Sequence, residues 1–226
     1  MRFMYAVSPP PEQKGEKWAR KMAIGVLAAL TIFDVLNALQ LVSATIEFTH
    51  FGRIISTGGV LLGLFVLDRY FQKRWRVSLP SAAWMVGAMI VLVDFVGDVL
   101  RLYGRWEQYD QFAHLLSGPL LVGALILGLS VIARAEQWRV PNSVLILLAL
   151  GLDAIIAVCY EIEEYLEDVF TLSHRLGDGP DTANDLMMNV LGGVLLVVGM
   201  VVYEKAKQKW YTFKSASVPV RVIHSH

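Results

Sequence analysis

Three short polar patterns lie at the ends of apolar segments in the second half of the chain, and their side chains could bind a cation or move a proton. The first pattern, YDQFAH, separates Asp110 from His114 by four residues, so a helix would stack them on one face. A carboxylate beside an imidazole can hold a metal ion or relay a proton. The structural alternative is an Asp that caps the helix, with a hydrogen-bonded His below it.

The second pattern, CYEIEEYLEDVF, closes a long apolar segment with a series of carboxylates. Glu161 and Glu164 are three residues apart, and Asp153 lies within roughly a quarter-turn of both at about 100° per residue. We expect Glu161 and Glu164 to face the site because they lie at the apolar end of the series. The other acids of the pattern are expected at a solvated helix end: Glu163, Glu167 and Asp168.

The third pattern, DTANDLMMNVLGG, opens the last apolar segment. Asp181, Asp185 and Asn189 follow one another at four-residue intervals and drift only about 80° around a helix. Asp181 follows Pro180 and could simply cap the helix, whereas Asp185 and Asn189 lie deeper. The residues predicted from the three patterns as catalytic groups and as ligands of a divalent metal ion are Asp110, His114, Glu161, Glu164 and Asp185.

Further acids occur inside apolar segments of the first half of the chain. Asp94 and Asp98 are four residues apart, Arg101 follows three residues later, and Asp34 lies in the first apolar segment. An ion pair of Asp98 with Arg101 is the plain reading, while Asp34 and Asp94 have no apparent basic partner. Arg101 and His114 are the only expected internal counter-charges. The remaining carboxylates must then share protons, bind cations or reach water.

Composition predicts that helices in a bilayer position these residues. The chain has 226 residues, 55% of them hydrophobic, which exceeds the roughly 45–50% apolar content of soluble domains. A spanning helix needs about 20 mostly apolar residues. The prediction is an all-α polytopic bundle with a segment at 1–21, a membrane domain at 22–203 and a basic tail at 204–226, whose six spans cover residues 22–46, 54–70, 81–103, 112–133, 142–165 and 186–203.

Basic residues are concentrated in alternate loops and at both ends of the chain. Such residues stay preferentially in the cytoplasm, so both termini are predicted to be cytoplasmic and the three polar patterns to lie toward the outer side of the inner membrane. Lys plus Arg and Asp plus Glu are 20 each, so the net charge does not indicate a partner. No nucleic-acid partner is expected, and no Gly-rich phosphate loop is present. The single cysteine, Cys159, excludes a cysteine-based zinc cluster.

The three patterns together resemble those of YjdF-type inner-membrane proteins. That family carries an Asp-x-x-x-His pair, a Tyr-Glu-x-x-Glu segment and an Asp-Thr-x-x-Asp-Met segment on consecutive helices, and a similar order occurs in the shorter VanZ-like proteins. The resemblance adds Tyr160 to the expected site and departs from the family pattern at Gln111, where a lysine is common. It implies a six-helix membrane protein with this polar site, and the VanZ-like link suggests cell-envelope chemistry by analogy.

Three classes of function fit these observations. The first is a metal-dependent hydrolase or transferase acting on an envelope lipid or lipid-linked substrate. The second is a cation- or proton-coupled transporter, with Asp34, Asp94, Asp98 and Asp153 as a pathway below the outer group. The third is a non-catalytic membrane scaffold whose polar side chains specify helix packing. The expected partner is the bilayer, with a lipid-linked or small-ion substrate, and the sequence leaves the oligomeric state open.

Overall fold

The computed structural model describes residues 14–177 and 179–216 of the chain. Six helices in this part are long and apolar enough to cross a membrane, which confirms the predicted six-span, all-α fold. A short additional helix precedes the fourth long one. The helices are α1 (Lys14–Ala38), α2 (His50–Trp75), α3 (Ser81–Val99), α4 (Leu102–Arg105), α5 (Tyr109–Ala135), α6 (Asn142–Thr171) and α7 (Gly179–Ala216).

Two helices end earlier than their apolar sequence predicts. The first span was expected to reach residue 46, but α1 stops at Ala38, because Asn37 accepts from the backbone N–H of Ala44 at 3.0 Å and donates to its carbonyl at 3.2 Å. That pair of bonds closes a turn. The third span was expected to reach residue 103, but Arg101 has a φ of 56°, and this left-handed conformation separates α3 from α4.

The polar patterns meet at one end of the bundle, which we call the Asp110 end. Here α1, α3 and α6 finish while α2, α5 and α7 begin. The buried apolar cluster of the first three helices lies toward the other end, around Trp84, Phe71 and Leu27. Large apolar side chains also cover the outside of the bundle, such as Leu147, which is 70% exposed. This surface is suited to contact with lipid.

Helices α5 and α7 make the most extensive contact of any pair of helices in the described part of the chain. A Cβ atom at Gly118 would lie 2.0 Å from the backbone oxygen of Asn189, and one at Gly192 would lie 2.4 Å from that of Leu115. Only glycine permits this approach, which is typical of packed membrane helices. Because Asp110 and His114 precede Gly118 by one to two turns, the close crossing places α7 beside them.

Candidate metal-binding site

Asp110, His114 and Asp185 form a group that could hold a metal ion. Each offers one ligand atom, and these atoms all lie within 4.8 Å of one another. Asp110 Oδ1 lies 3.6 Å from His114 Nε2. Two carboxylates and an imidazole are a common ligand set for divalent transition metals. The group joins the start of α5 to the second turn of α7, as the spacing of the first and third patterns predicts.

Burial and missing partners distinguish Asp185 from an ordinary surface acid. Its side chain is 2% exposed, and its Oδ1 has no hydrogen-bond partner among the described residues. The His114 side chain is 11% exposed and Asp110 is 31% exposed, so the group opens to the surface on the Asp110 side. The His114 ring packs against Tyr160 at a centroid distance of 5.9 Å, which limits its rotation. A buried carboxylate without a donor is costly unless a proton or cation accompanies it.

Glu161 lies beside this group. It is 5% exposed, and among the described residues only the Thr182 side chain lies beside its carboxylate as a hydrogen-bonding group. Its charge interacts with those of Asp110 and Asp185. The structure therefore brings four of the five predicted site residues together, three as a compact ligand group and Glu161 as an adjacent carboxylate.

An open depression of 520 Å³ lies at the same end of α5 and α7. Asp181 belongs to its wall, and the charge of Asp181 interacts with those of Asp110, Glu161 and Asp185. The depression therefore adjoins the candidate site and provides a path to it from the surface. Its lining residues are Glu107, Gln108, Gln111, Pro180, Asp181 and Asn184.

Glu164, the fifth predicted site residue, belongs to a second cluster around Arg175. Its Oε1 lies 3.0 Å from Arg175 Nε, and Arg175 Nη1 lies 2.8 Å from Glu167 and 3.4 Å from Glu163. Arg175 Nη2 donates to the Tyr160 hydroxyl at 2.6 Å. Because Glu164 already forms an ion pair with Arg175, its position favours a supporting role over that of a metal ligand. We call these residues the Arg175 cluster.

The Arg175 cluster corrects the expectation that Glu163, Glu167 and Asp168 are solvated. Glu167 is 1% exposed and also accepts from the backbone and hydroxyl of Thr49. Asp168 accepts from the backbone N–H groups of Arg175 at 2.8 Å and Leu176 at 3.1 Å, and so shapes the α6–α7 loop. Glu163 and Glu167 point inward because the loop folds back and brings the Arg175 guanidinium to them, whereas Asp168 stays half-buried and is bound by the loop backbone.

Arg175 itself is 2% exposed and lies over the ring of Phe48 at 4.6 Å. Burial alone would lower the pKa of its guanidinium, but Tyr160 and the acids around it, including Asp94 and Glu164, outweigh burial and raise that pKa well above its ordinary value. The side chain therefore remains a cation at every pH a cell experiences.

A third cluster surrounds Arg53, at the start of α2. Its guanidinium lies 3.3 Å from Asp34, 3.2 Å from Asp94 and 3.4 Å from Asp98, and its side chain is 1% exposed. The Tyr103 hydroxyl donates to Asp94 at 2.9 Å. We call these residues the Arg53 cluster. It links α1, α2 and α3 through one buried cation.

The Arg53 cluster overturns the expectations made for the first half of the chain. Asp34 and Asp94 do have a basic partner, and Asp98 pairs with Arg53 rather than with Arg101. The Arg101 side chain is 57% exposed and lies 3.8 Å from Glu47. Arg53 and Arg175, rather than Arg101 and His114, are the internal counter-charges. The sequence pattern failed because the partners of Arg53 lie 19 to 45 positions away on other helices.

Asp153 and Asn189 lie deeper than the metal-competent group. Asp153 is fully buried, and among the residues the structure describes its carboxylate has only the Asn189 side chain beside it as a hydrogen-bonding group. Asn189 lies near it, and a Cβ atom at Gly193 would come within 3.4 Å of its Oδ2. Asp153 thus lies on the same side of α6 as Glu161, as expected, but beneath the metal-competent group and not within it.

These features define a class of protein: a multi-pass membrane protein whose helices enclose a polar, metal-competent group near one end. The chain belongs to the DUF2238 family, described as a predicted membrane protein, whose family model matches residues 21–206. That match includes the greater part of each of the six long helices. No curated protein matches the chain, and no solved structure does.

Proposed function

We propose that this protein is a metal-dependent membrane enzyme that hydrolyses or transfers a linkage in a cell-envelope lipid or lipid-linked substrate. One observation carries the proposal: donor atoms of Asp110, His114 and Asp185 converge within 4.8 Å at the end of an apolar bundle. A packing role requires hydrogen-bonded partners, but among the described residues Asp185 Oδ1 has none and the Glu161 carboxylate has only the Thr182 side chain beside it. A bound cation would satisfy them.

A divalent ion in this group would activate a water molecule as a nucleophile. Glu161 is placed to accept one proton from that water as its oxygen attacks the acyl or phosphoryl centre of the substrate. The bond to the leaving alcohol then breaks, and the proton on Glu161 passes to the alcohol oxygen. His114 and the carboxylates of Asp110 and Asp185 hold the ion throughout, and Tyr160 keeps the imidazole ring in place.

The cellular placement is part of the same proposal. Basic residues in alternate loops favour cytoplasmic termini, which puts the Asp110 end at the outer face of the inner membrane. The resemblance of the three polar patterns to YjdF-type and VanZ-like proteins supports an envelope substrate by analogy. Lipid headgroups at that face would reach the site through the depression beside Asp181.

Cation- or proton-coupled transport is the second candidate, and Asp153 favours it. This carboxylate is fully buried beneath the site, and an ionisable residue within a membrane often marks an ion path. Transport predicts that purified protein in liposomes conducts cations and that Asp153→Asn abolishes the flux. The enzyme proposal predicts that the same variant keeps its bound metal.

The deciding experiment is metal analysis of protein purified in Mn²⁺ or Zn²⁺, comparing wild type with His114→Ala. We expect about one ion per chain in the wild type and a large loss in the variant, because imidazole is a principal ligand for these ions. His174→Ala is the matched control, since His174 is an exposed histidine of the α6–α7 loop. Equal metal content in wild type and His114→Ala would refute the proposal and leave the transport and scaffold alternatives.

A further inference from the structure

The open depression beside the candidate site has an unusual chemical lining. Of its six lining residues, three carry side-chain amides, two carry carboxylates, and the sixth is Pro180. No lysine, arginine or histidine is among them. Whatever binds here meets groups that accept and donate hydrogen bonds on a background of negative charge.

This lining argues against an anionic ligand. Proteins recognise phosphate and carboxylate groups with arginine forks, lysine or helix N-termini. The two helix N-termini at the depression, those of α5 and α7, already carry Asp110 and Asp181 in their first turns. The buried arginines of the described chain are directed elsewhere: Arg53 faces three aspartates, and Arg175 faces three glutamates. Glu107 and Asp181 would repel a phosphate that entered the depression.

The amides also argue against a simple ammonium ligand. An ammonium group only donates hydrogen bonds, so the amide N–H groups of Gln108, Gln111 and Asn184 would find no acceptor on it. A hydroxyl group both donates and accepts. Several hydroxyls on one ring could pair with the amides and the carboxylates at once, without a formal charge.

We infer that the depression binds the uncharged, hydroxyl-rich headgroup of a membrane lipid, that is, a sugar, and presents its lipid linkage to the neighbouring group of Asp110, His114 and Asp185. The inference rests on the proposed function for the reaction, and on the lining of the depression for the substrate class. The headgroup lies at the membrane surface, where the Asp110 end of the bundle opens.

The test uses three amphiphiles with the same chain and different heads: octyl glucoside, octyl phosphate and octylammonium. The full-length protein, in phosphatidylcholine nanodiscs, is titrated with each, and the saturable signal above that of empty nanodiscs is taken as binding. We expect octyl glucoside to bind at least about tenfold more tightly than the other two, a difference that a few hydrogen bonds supply.

The variant Gln108→Ala/Asn184→Ala should weaken glucoside binding about tenfold and leave metal content unchanged. Both residues are exposed, and neither is a metal ligand. Asn142→Ala, an exposed amide at the opposite end of α6, is the control and should bind like the wild type. Tighter binding of the phosphate or ammonium head, no saturable binding, or glucoside binding that survives in the double variant would overturn the inference.

The two proposals fail separately. A wild-type protein that holds metal but binds no glucoside retains the proposed enzyme and loses the sugar headgroup. A protein that binds glucoside through Gln108 and Asn184 but holds no metal retains the headgroup site and loses the proposed chemistry.

Discussion

Buried carboxylates in the half of the bundle nearest the Asp110 end fall into two kinds. Those of the Arg53 and Arg175 clusters touch a guanidinium, and they join helices or hold a loop. Asp185, Glu161 and Asp153 have no arginine in ion-pair contact in the described part of the chain and retain oxygens without donors. Substitution of the first kind should reduce stability, whereas substitution of the second should alter binding or activity.

Asp185→Asn tests the second kind. Asparagine has nearly the shape of aspartate but lacks its charge, so we expect normal membrane insertion with loss of bound metal and activity. Asp181→Asn is the control and should keep its metal, because Asp181 lies in the first turn of α7 and is not one of the three ligand groups. Measuring the metal content per chain together with the thermal midpoint of unfolding distinguishes loss of metal binding from loss of stability. Full metal content in Asp185→Asn would contradict a ligand role.

Arg53→Met tests the first kind. The change leaves three aspartates in the bundle without their cation, and breaking a buried ion pair from one side costs about 3–5 kcal/mol. We expect a loss of that size in the free energy of unfolding, measured by detergent titration. Arg101→Met should change it by less than about 1 kcal/mol, since exposed pairs contribute little. Equal effects would show that the Arg53 cluster does not stabilise the fold.

The sequence could predict the position of some polar side chains and not of others. Asp110, His114 and Asp185 were predictable because helical spacing sets the face on which each side chain lies, and each pattern stands at a helix end. Arg53 was not, because it is one of several basic residues near helix ends and only the packing of α1, α2 and α3 shows its partners. Glu164 was assigned to the metal site because the fold of the loop that carries Arg175 has no local signature.

At the scale of helices, the close crossing of α5 and α7 depends on glycines, which have no side chain, at the contact. Gly118→Ala would force a methyl group against the backbone of Asn189, which cannot move without moving the helix. We expect lower stability together with weaker metal binding, because the same crossing aligns Asp185 with His114. Gly128→Ala, in the same helix but with nothing within 4 Å of the new atom, should be neutral or slightly stabilising. Both properties can be read from melting curves with and without Mn²⁺.

The α6–α7 loop should open in Arg175→Gln. Its backbone amides at Arg175 and Leu176 donate to Asp168, and the buried guanidinium holds the loop against α6. We expect faster hydrogen exchange at Leu176 in the variant, with the amides in the middle of α6 unchanged as the reference.

The effect of pH on the α6–α7 loop follows from the direction in which the pKa of Arg175 is shifted. The pKa of Arg175 is raised above its ordinary value, so its stabilising contribution is fully present below that ordinary value and is lost only as pH rises beyond the raised pKa. Protection factors at Leu176 in the wild type should therefore not fall between pH 7 and pH 9 through loss of charge on Arg175. A fall in that window would indicate that another group controls the loop.

Helix existence was predictable, but two of the helix ends were not. Long apolar runs fix the six spans because the bilayer demands them. The end of α1 depends on the side-chain bonds of Asn37 to Ala44, and that of α3 on one left-handed residue, Arg101. Such turns interrupt an apolar run without changing its composition, so hydropathy extends the helix across them.

For the whole molecule, orientation in the membrane is the prediction that most affects function. In a Cys159→Ser background, Gln108→Cys should react with an impermeant thiol reagent on intact cells, because the predicted topology puts the Asp110 end outside. Gln137→Cys, exposed between α5 and α6 at the other end, should react only after the cells are opened. The reverse pattern would place the site in the cytoplasm and exclude an outer-leaflet substrate.

The length of α7 has a mechanical consequence. Its 38 residues span about 57 Å, nearly twice the hydrocarbon thickness of a bilayer. Because the helix begins at the Asp110 end, residues 204–216 extend roughly 20 Å beyond the hydrocarbon core on the opposite side. That stretch begins at Glu204 with Lys205 and Lys207. One continuous helix thus connects Asp185, near one side of the membrane, to a basic stalk on the other. A rotation or tilt of the stalk would therefore be transmitted along this helix to the site.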